Sequence, residues 1–141
     1  MNRDQLVKEL VHDEGLRLKV YPDSEEVPTV GVGRNLRDVG ISESEAFILL
    51  NNDIDRTVQD LDRELPWWRQ LDEMRQHVLL NMAFNLGVKG LVTFRTTLAF
   101  IKHGMYEDAA VSMLKSLWAK QVGVRAERLS QQMRDGTPKE V

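Results

Sequence analysis

The sequence predicts a mostly helical α+β fold, and three observations carry that prediction. Most of the 141 residues fall into segments whose apolar side chains recur at helical spacing. Ser42 and Glu45 form a capping box at the start of the longest segment. Residues 29–33 (Thr-Val-Gly-Val-Gly) alternate β-branched residues with glycine instead, which is typical of a short strand or hairpin. A small hairpin among helices is therefore expected.

The first helix is predicted over residues 5–14, because four apolar side chains share one helical face. They are Leu6, Val7, Leu10 and Val11. Asp4 is the expected N-cap, and Gly15 is expected to close the helix in a left-handed conformation. The sequence Tyr-Pro-Asp-Ser at residues 21–24 then predicts a turn that leads into the hairpin.

Helices are predicted for the rest of the chain. The long helix that the capping box starts is expected to reach about residue 65, where Pro66 stops it. A central helix over residues 71–86 is almost continuously apolar, so it is expected to be buried on most sides. Three further helices are expected: one capped by Thr93 or Thr96 and ended by Gly104, one from Tyr106 to Trp118, and one from about Val124 to Met133.

Composition limits the functions that fit this chain. The formal net charge is −3, which gives little support to a role in binding nucleic acid. There is no cysteine for disulfide or thiol chemistry, and the histidines are too scattered to suggest a metal site, so neither a metal nor a cofactor is expected. No membrane span or export signal is expected from the apolar pattern. A monomer is expected, since no segment resembles an oligomer seam.

Two carboxylates near the N-terminus carry the chemical interpretation. Glu14 falls in the last turn of the first helix, where the negative end of the helix dipole favours a protonated carboxyl group, the form that a general acid needs. Asp23 lies in the turn, and the hydroxyl of Thr29 could orient a water between the two acids. Two acids held across a cleft suit cleavage of a glycosidic bond. The alternatives are a solvated surface glutamate and an aspartate that only forms a turn.

Several segments resemble the phage lysozymes of glycoside hydrolase family 24, the T-even phage type. The strongest match is residues 13–23 followed by residues 29–33, which resemble the active-site signature of that family. The other matching segments are residues 80–87 with Gly90 and Phe94, residues 107–111, residues 115–118, and Arg125-Ala126. Together they span about residues 8–130 in the family order.

The resemblance implies a lysozyme-like fold in one domain, residues 1–141. A small N-terminal lobe of about residues 12–45 would carry a short β-hairpin. A long helix, about residues 43–65, would join it to a helical lobe of about residues 66–141 that includes the first helix, with the active-site cleft between the lobes. Only residues 37–41 separate the region of Arg34 from the capping box, so the hairpin is shorter than is usual in the family and the cleft is expected to be more open at one end.

The resemblance also implies a muramidase, which hydrolyses the β-1,4 bond between N-acetylmuramic acid and N-acetylglucosamine in peptidoglycan with inversion. Glu14 falls on the general acid of the family, Asp23 on its second catalytic carboxylate and Thr29 on its third catalytic residue. Asp23 and Thr29 would activate a water opposite Glu14, with the carboxyl groups roughly 6.5–9.5 Å apart.

Further positions are carried over from the family. Saccharide contacts are expected at Asn35, Phe84, Asn85, Thr97 and Ser112. The alternative interpretation, which fits these residues equally well, is a role in capping or on the surface. Arg125 is expected to orient Glu14. Arg34 and Asp53 occupy the positions of a His–Asp pair in the family, and an ion pair between them is expected.

The implied setting is lysis of a bacterial host by a phage. The enzyme would be made in the host cytoplasm without a signal peptide and would reach the wall, in the periplasm, through a holin lesion or by packaging in the virion. Two alternatives stay open. A lytic transglycosylase needs one acid/base glutamate and no water-activating aspartate, so Asp23 and Thr29 favour hydrolysis. A non-catalytic wall-binding domain should have lost a catalytic residue.

Overall fold

The computed structural model describes all 141 residues, and it confirms the mostly helical α+β fold. One three-stranded antiparallel sheet accompanies eight α-helices. The elements are α1 Arg3–Glu14, β1 Arg17–Pro22, β2 Pro28–Gly31, β3 Arg34–Asn35, α2 Glu43–Glu64, a 3₁₀-helix Pro66–Gln70, α3 Glu73–Leu86, α4 Val88–Leu91, α5 Arg95–Lys102, α6 Tyr106–Leu114, α7 Leu117–Val122 and α8 Val124–Asp135.

The chain divides into two compact units, Met1–Leu49 and Leu50–Val141. Helix α2 begins in the first unit and ends in the second. Helix α1 falls in the first unit rather than with the helices of the second. The boundaries expected for a small lobe, a bridging helix and a helical lobe stay a prediction. No helix in the structure combines the length and the apolar character that crossing a membrane requires.

Helix α1 begins two residues earlier than the sequence predicted. Asn2, not Asp4, is its N-cap, and the Asn2 side chain accepts a hydrogen bond of 3.0 Å from the Gln5 N–H. Asp4 lies in the first turn, where a carboxylate is still favourable near the positive end of the helix dipole. Gly15 ends the helix at φ +79°, and its N–H donates to the Val11 carbonyl. The predicted C-terminal glycine is therefore confirmed.

The sheet is built in the order β1-β2-β3. Tyr21 lies opposite Thr29, and Thr29 lies opposite Asn35 in the third strand. The strand at residues 29–31 is confirmed, whereas β1 was not predicted. Its signal is the alternation of Leu18 and Val20 with charged residues, but Leu18 is 84% exposed, so burial does not reinforce the pattern.

The capping box at the start of α2 is confirmed. The Glu45 N–H donates to the Ser42 hydroxyl at 3.1 Å, and the Ser42 N–H donates back to the Glu45 carboxylate at 2.9 Å. Two backbone donors at the helix start are thereby satisfied reciprocally. The helix ends at Glu64, two residues before Pro66, as the sequence predicted.

The hydrophobic core lies in the second unit and is centred on α3. Asp72 caps this helix by accepting from the Arg75 N–H. Four of its apolar residues are buried, which confirms the predicted burial: Val78, Leu79, Met82 and Ala83. The core around them includes Leu61, Trp68, Leu91, Ile101, Met113, Trp118, Leu129 and Met133. Trp67 packs half-buried against this core, while the adjacent Trp68 is fully inside it.

Three helix predictions in the second unit need correction. The segment from Tyr106 to Trp118 is two helices rather than one, because the Ser116 hydroxyl accepts from the Ala119 N–H and starts α7 anew. Helix α5 has no side-chain N-cap, since the Thr93 hydroxyl donates to the Gly90 carbonyl instead. Helix α8 continues two residues past Met133, to Asp135.

Candidate active site

Glu14 is brought against the hairpin within the first unit. It is the last residue of α1, and its side chain is exposed. The turn between β2 and β3 passes next to it at Gly33, where an ideal Cβ would lie only 2.9 Å from Glu14 Oε2. The carboxyl group therefore rests on a stretch of backbone that has no side chain.

Asp23 holds its own turn together. One carboxylate oxygen, Oδ1, accepts from the backbone N–H groups of Glu25 and Val27, each at 2.8 Å. The Asp23 N–H donates to the Val27 carbonyl at 3.0 Å. The side chain is half-buried, and its second oxygen accepts no hydrogen bond from the protein. Asp23 is thus a turn former and still presents a carboxylate oxygen for chemistry.

Thr29 is buried in β2, with 4% of its surface exposed. Its hydroxyl donates to the Val27 carbonyl at 2.8 Å. Because the proton is directed at that carbonyl, the oxygen lone pairs are left as acceptors. Val27, itself buried, binds Asp23 through its N–H and Thr29 through its carbonyl. Asp23 and Thr29 are therefore both hydrogen-bonded to the backbone of Val27, although they are six positions apart in the sequence.

Asn35 has a local structural role. Its side-chain oxygen accepts from the Asp38 N–H at 2.8 Å, and its amide nitrogen donates to the Asp38 carboxylate at 3.0 Å. These bonds close the turn after β3. The capping alternative is therefore observed for Asn35, and its saccharide contact stays a prediction.

The expected ion pair between Arg34 and Asp53 is wrong. Arg34 donates to the carboxylate of Glu45 at 2.9 Å and to the Gly40 carbonyl at 3.0 Å. Asp53 is paired instead with Arg56, three residues later on the same helix. Asp53 is thus paired within its own helix, whereas Glu45 is bound by an arginine from strand β3.

Two predicted saccharide positions, Thr97 and Ser112, meet in the second unit. Their hydroxyl oxygens are 2.6 Å apart, across α5 and α6. Thr97 is buried, and both residues line an open groove of about 510 Å³. Its other lining residues include Phe94, Arg95, Lys115, Trp118 and Gln121. The groove therefore combines hydroxyl groups, aromatic rings and two cations.

Trp118 and Asn85 form a hydrogen bond that the sequence did not predict. The Trp118 ring is buried and meets Phe94 edge-to-face, at 6.3 Å between ring centroids. Its indole N–H donates to the Asn85 side-chain oxygen at 2.9 Å. Its burial gives Trp118 a packing role. The saccharide contact expected of Asn85 stays a prediction.

Phe84 and Arg125 line a second groove, of about 430 Å³, which is mostly apolar. Arg125 donates through Nε and Nη2 to the Asn81 side-chain oxygen, at 2.9 and 2.7 Å, and through Nη2 to the Asn81 carbonyl. Asn81 is a residue that the sequence reasoning missed, because nothing in its spacing links it to a position 44 residues later. The pairing of Arg125 with Glu14 stays a prediction. Phe84 is 45% exposed, which leaves its ring available to a ligand.

A family model described as phage lysozyme matches residues 11–134, which contain Glu14, Asp23 and Thr29. The chain belongs to the phage lysozyme family. Membership makes the protein a glycoside hydrolase of the lysozyme type, and peptidoglycan is the substrate that this family implies. The lysozyme-like character of the α+β fold is confirmed by the same match.

Individual relatives of this lysozyme differ in how much of their length it covers. It is 33% identical to the pre-baseplate central spike protein Gp5 of Enterobacteria phage T4, over 86% of this chain but only 26% of the relative. It is 26% identical to the probable T4-type lysozyme 1 of Dictyostelium discoideum, over 91% and 92% of the two chains. It is 28% identical to the endolysin of Salmonella phage P22, over 81% and 80%.

Proposed function

We propose that this lysozyme is an inverting muramidase that cleaves the β-1,4 bond between N-acetylmuramic acid and N-acetylglucosamine. Glu14 is the general acid, and Asp23 with Thr29 binds and activates the attacking water. One observation carries the proposal: Val27 holds Asp23 and Thr29 together, and one oxygen of Asp23 has no protein partner.

The proposed reaction follows from these contacts. Glu14 gives its proton to the glycosidic oxygen as the bond to the anomeric carbon breaks. Water attacks the opposite face of the sugar, its hydroxyl joins the anomeric carbon, and its proton passes to the free oxygen of Asp23. The lone pairs of Thr29 accept the second hydrogen of the water and so fix its orientation. Glu14 ends ionised, Asp23 ends protonated, and a proton exchange with solvent restores both.

The backbone prepares Asp23 for this role. Two N–H groups aimed at Oδ1 hold the carboxylate in one orientation. Because both donors contact the same oxygen, the other oxygen is left to face the water. We therefore take Oδ1 as the structural oxygen of Asp23 and its other oxygen as the proposed base.

The grooves of the second unit are proposed to hold saccharide. A Thr97–Ser112 pair that shares one hydrogen bond keeps one O–H free to donate to a sugar hydroxyl or an N-acetyl oxygen. Phe84 offers an exposed ring face, and Asn85 keeps its amide N–H groups while its oxygen binds Trp118. Arg125 is fixed in the second groove by its hydrogen bonds to Asn81.

The proposed setting is phage lysis of a bacterial host. The enzyme is a monomer made in the host cytoplasm, and it degrades the wall in the periplasm once a holin, or delivery in the virion, gives it access. Family membership supports this setting. A wall-degrading domain within a larger protein is the alternative that the partial coverage of the spike protein keeps open.

The test is digestion of purified peptidoglycan by the wild type, Glu14→Gln and Asp23→Asn, followed by mass spectrometry of the released muropeptides. Reducing disaccharide peptides that disappear in both variants would support the proposal. NMR of the first product formed should show the α-anomer at the new reducing end, as inversion requires.

Two results would replace the proposal. Products with a 1,6-anhydro ring would identify a lytic transglycosylase and remove Asp23 from the chemistry. A wild type that is folded by circular dichroism but releases nothing would indicate a wall-binding domain. Circular dichroism of both variants serves as the control that activity was lost without unfolding.

A further inference from the structure

The backbone at Gly33 approaches the whole side chain of Glu14. A Cβ placed there would lie 2.9 Å from Oε2, 3.2 Å from Cδ and 3.4 Å from Cβ of Glu14. The first of these distances is shorter than real side chains tolerate, so one partner would have to move. Gly33 also has φ +68°, a conformation that costs a residue with a side chain additional energy.

We propose that Gly33 is a positioning residue, whose missing side chain fixes the place of the Glu14 carboxyl group. The proposal deepens the proposed function and rests on the role of Glu14 as the acid. Gly33 supplies no side chain to the chemistry. Its contribution is the space that the carboxyl group occupies.

The direction of the movement follows from what anchors each partner. Val30 pairs with Arg34 across the turn that contains Gly33, and Arg34 is bound to both Gly40 and Glu45. Glu14 is an exposed side chain at a helix end with no hydrogen bond to hold it. A methyl group at position 33 should therefore displace the Glu14 side chain into another rotamer and leave the hairpin in place.

Gly31 provides a matched control on the same hairpin. Its φ is +69°, almost identical to that of Gly33, yet an ideal Cβ there meets no atom within 4 Å. Alanine at position 31 therefore carries the same kind of backbone strain without the contact to Glu14. The difference between Gly33→Ala and Gly31→Ala isolates the positioning effect from the conformational cost.

The first experiment measures kcat, KM and the side-chain carboxyl ¹³C resonance of Glu14 in both variants. Displacing an acid by about 1 Å can cost on the order of 100-fold in rate. We expect kcat of Gly33→Ala to fall by about that factor below Gly31→Ala, with KM equal in the two variants. The Glu14 resonance should shift in Gly33→Ala alone. Equal kcat values with an unmoved resonance would overturn the proposal.

The second experiment needs no activity. The melting temperature Tm is measured for Gly33→Ala and Gly31→Ala in the wild type and again in a Glu14→Ala background, where Oε2 and Cδ are absent. We expect Gly33→Ala to lower Tm more than Gly31→Ala in the wild type, and the excess to vanish when Glu14 is alanine. An excess that persists without the Glu14 side chain would refute the contact.

The two proposals fail in distinguishable ways. A folded wild type that releases no muropeptides removes the role of Glu14 as an acid, whereas the ¹³C shift and the Tm cycle still decide whether Gly33 places its carboxyl group. Conversely, an active enzyme whose Gly33→Ala and Gly31→Ala variants behave alike keeps the muramidase and discards the positioning role.

Discussion

Arg34 ties strand β3 to the start of helix α2 through Glu45. Its guanidinium donates to Glu45 Oε1 at 2.9 Å, and the same oxygen accepts from the Ser42 N–H at 2.9 Å. The hydrogen bond from Arg34, followed by those from Ser42, lowers the pKa of Glu45 from 4.5 to about 2. The capping carboxylate is therefore kept ionised far into the acid range.

The Arg34–Glu45 pair predicts an acid limb, that is, a fall in the unfolding free energy of the protein at low pH. The folded pKa of Glu45 lies below its unfolded value, so the pair contributes fully above about pH 4.5 and its contribution is lost as the pH falls towards about 2. Between mildly acidic and neutral pH neither partner titrates. We expect Glu45→Gln to flatten the fall in unfolding free energy over that acid window, as measured by urea denaturation.

Glu43→Gln is the matched control for this prediction, because Glu43 stands on the same helical turn without an ion pair in the structure. It should leave the acid limb unchanged. If Glu43→Gln and Glu45→Gln alter the limb equally, the effect is general charge reduction and not the bond to Arg34.

Asp62 predicts a second acid-sensitive contact, in the other unit. Its carboxylate accepts from Arg69 and from the Trp68 indole N–H, and the bond to Arg69 leads in lowering its pKa from 3.8 to about 2. Stability from this contact is present above about pH 3.8 and is lost towards about pH 2. Trp68 fluorescence during acid titration should therefore change over that range in the wild type. The midpoint of this change should move to higher pH in Arg69→Gln. An unchanged midpoint in Arg69→Gln would contradict the assignment.

The two oxygens of Asp23 can be tested apart. Asp23→Asn keeps an oxygen for the N–H groups of Glu25 and Val27 but removes the charge, so it should abolish hydrolysis with little change in stability. Asp23→Ala also leaves those donors without a partner, which should cost about 1–3 kcal/mol in unfolding free energy. Chemical denaturation and muropeptide release measure the two effects. Full activity in Asp23→Asn would reduce Asp23 to a turn former.

Arg75 predicts a large effect on the stability of the second unit. It donates to the Met133 and Arg134 carbonyls at the end of α8, at 2.7 and 2.8 Å, and its guanidinium carbon lies 3.6 Å from the centroid of the Tyr106 ring. We expect Arg75→Ala to lower the unfolding free energy by about 2–3 kcal/mol. Arg75→Lys should recover only part of it, because an ammonium cannot reproduce the planar fork.

Arg134→Ala is the control for Arg75, since Arg134 is exposed on the same helix end and its side chain makes no hydrogen bond in the structure. Its effect should stay within about 0.5 kcal/mol. Comparable losses from both variants would show that helix charge, and not the contacts of Arg75, supports α8.

The bond between Trp118 and Asn85 predicts a stability role for a residue proposed to contact saccharide. Asn85→Ala leaves the indole N–H of a buried ring without its acceptor, which should cost about 1 kcal/mol. Asn85→Asp retains an acceptor and should cost less. In a Trp118→Phe background, where the donor is gone, Asn85→Ala should be nearly neutral by thermal denaturation. A cost that persists there would assign it to another contact of Asn85.

Local patterns in the sequence determined most of the secondary structure. The capping box at Ser42, the stop at Pro66 and the glycine at position 15 act through atoms a few residues away, so their outcome needs no knowledge of the fold. The predictions were wrong where two local signals compete. Asn2 and Asp4 both make good N-caps, and Ser116 restarts a helix that apolar spacing alone would continue.

The sequence also determined the family and which residues are candidates for catalysis, since residue types at set spacing are visible without coordinates. Only the tertiary structure decided their partners. Arg34 pairs with Glu45 and not with Asp53. Arg125 binds Asn81, and Gly33 lies against Glu14. Each of these contacts depends on the path of the backbone between residues distant in sequence, and a hydrogen bond forms only when that path brings donor and acceptor within about 3 Å.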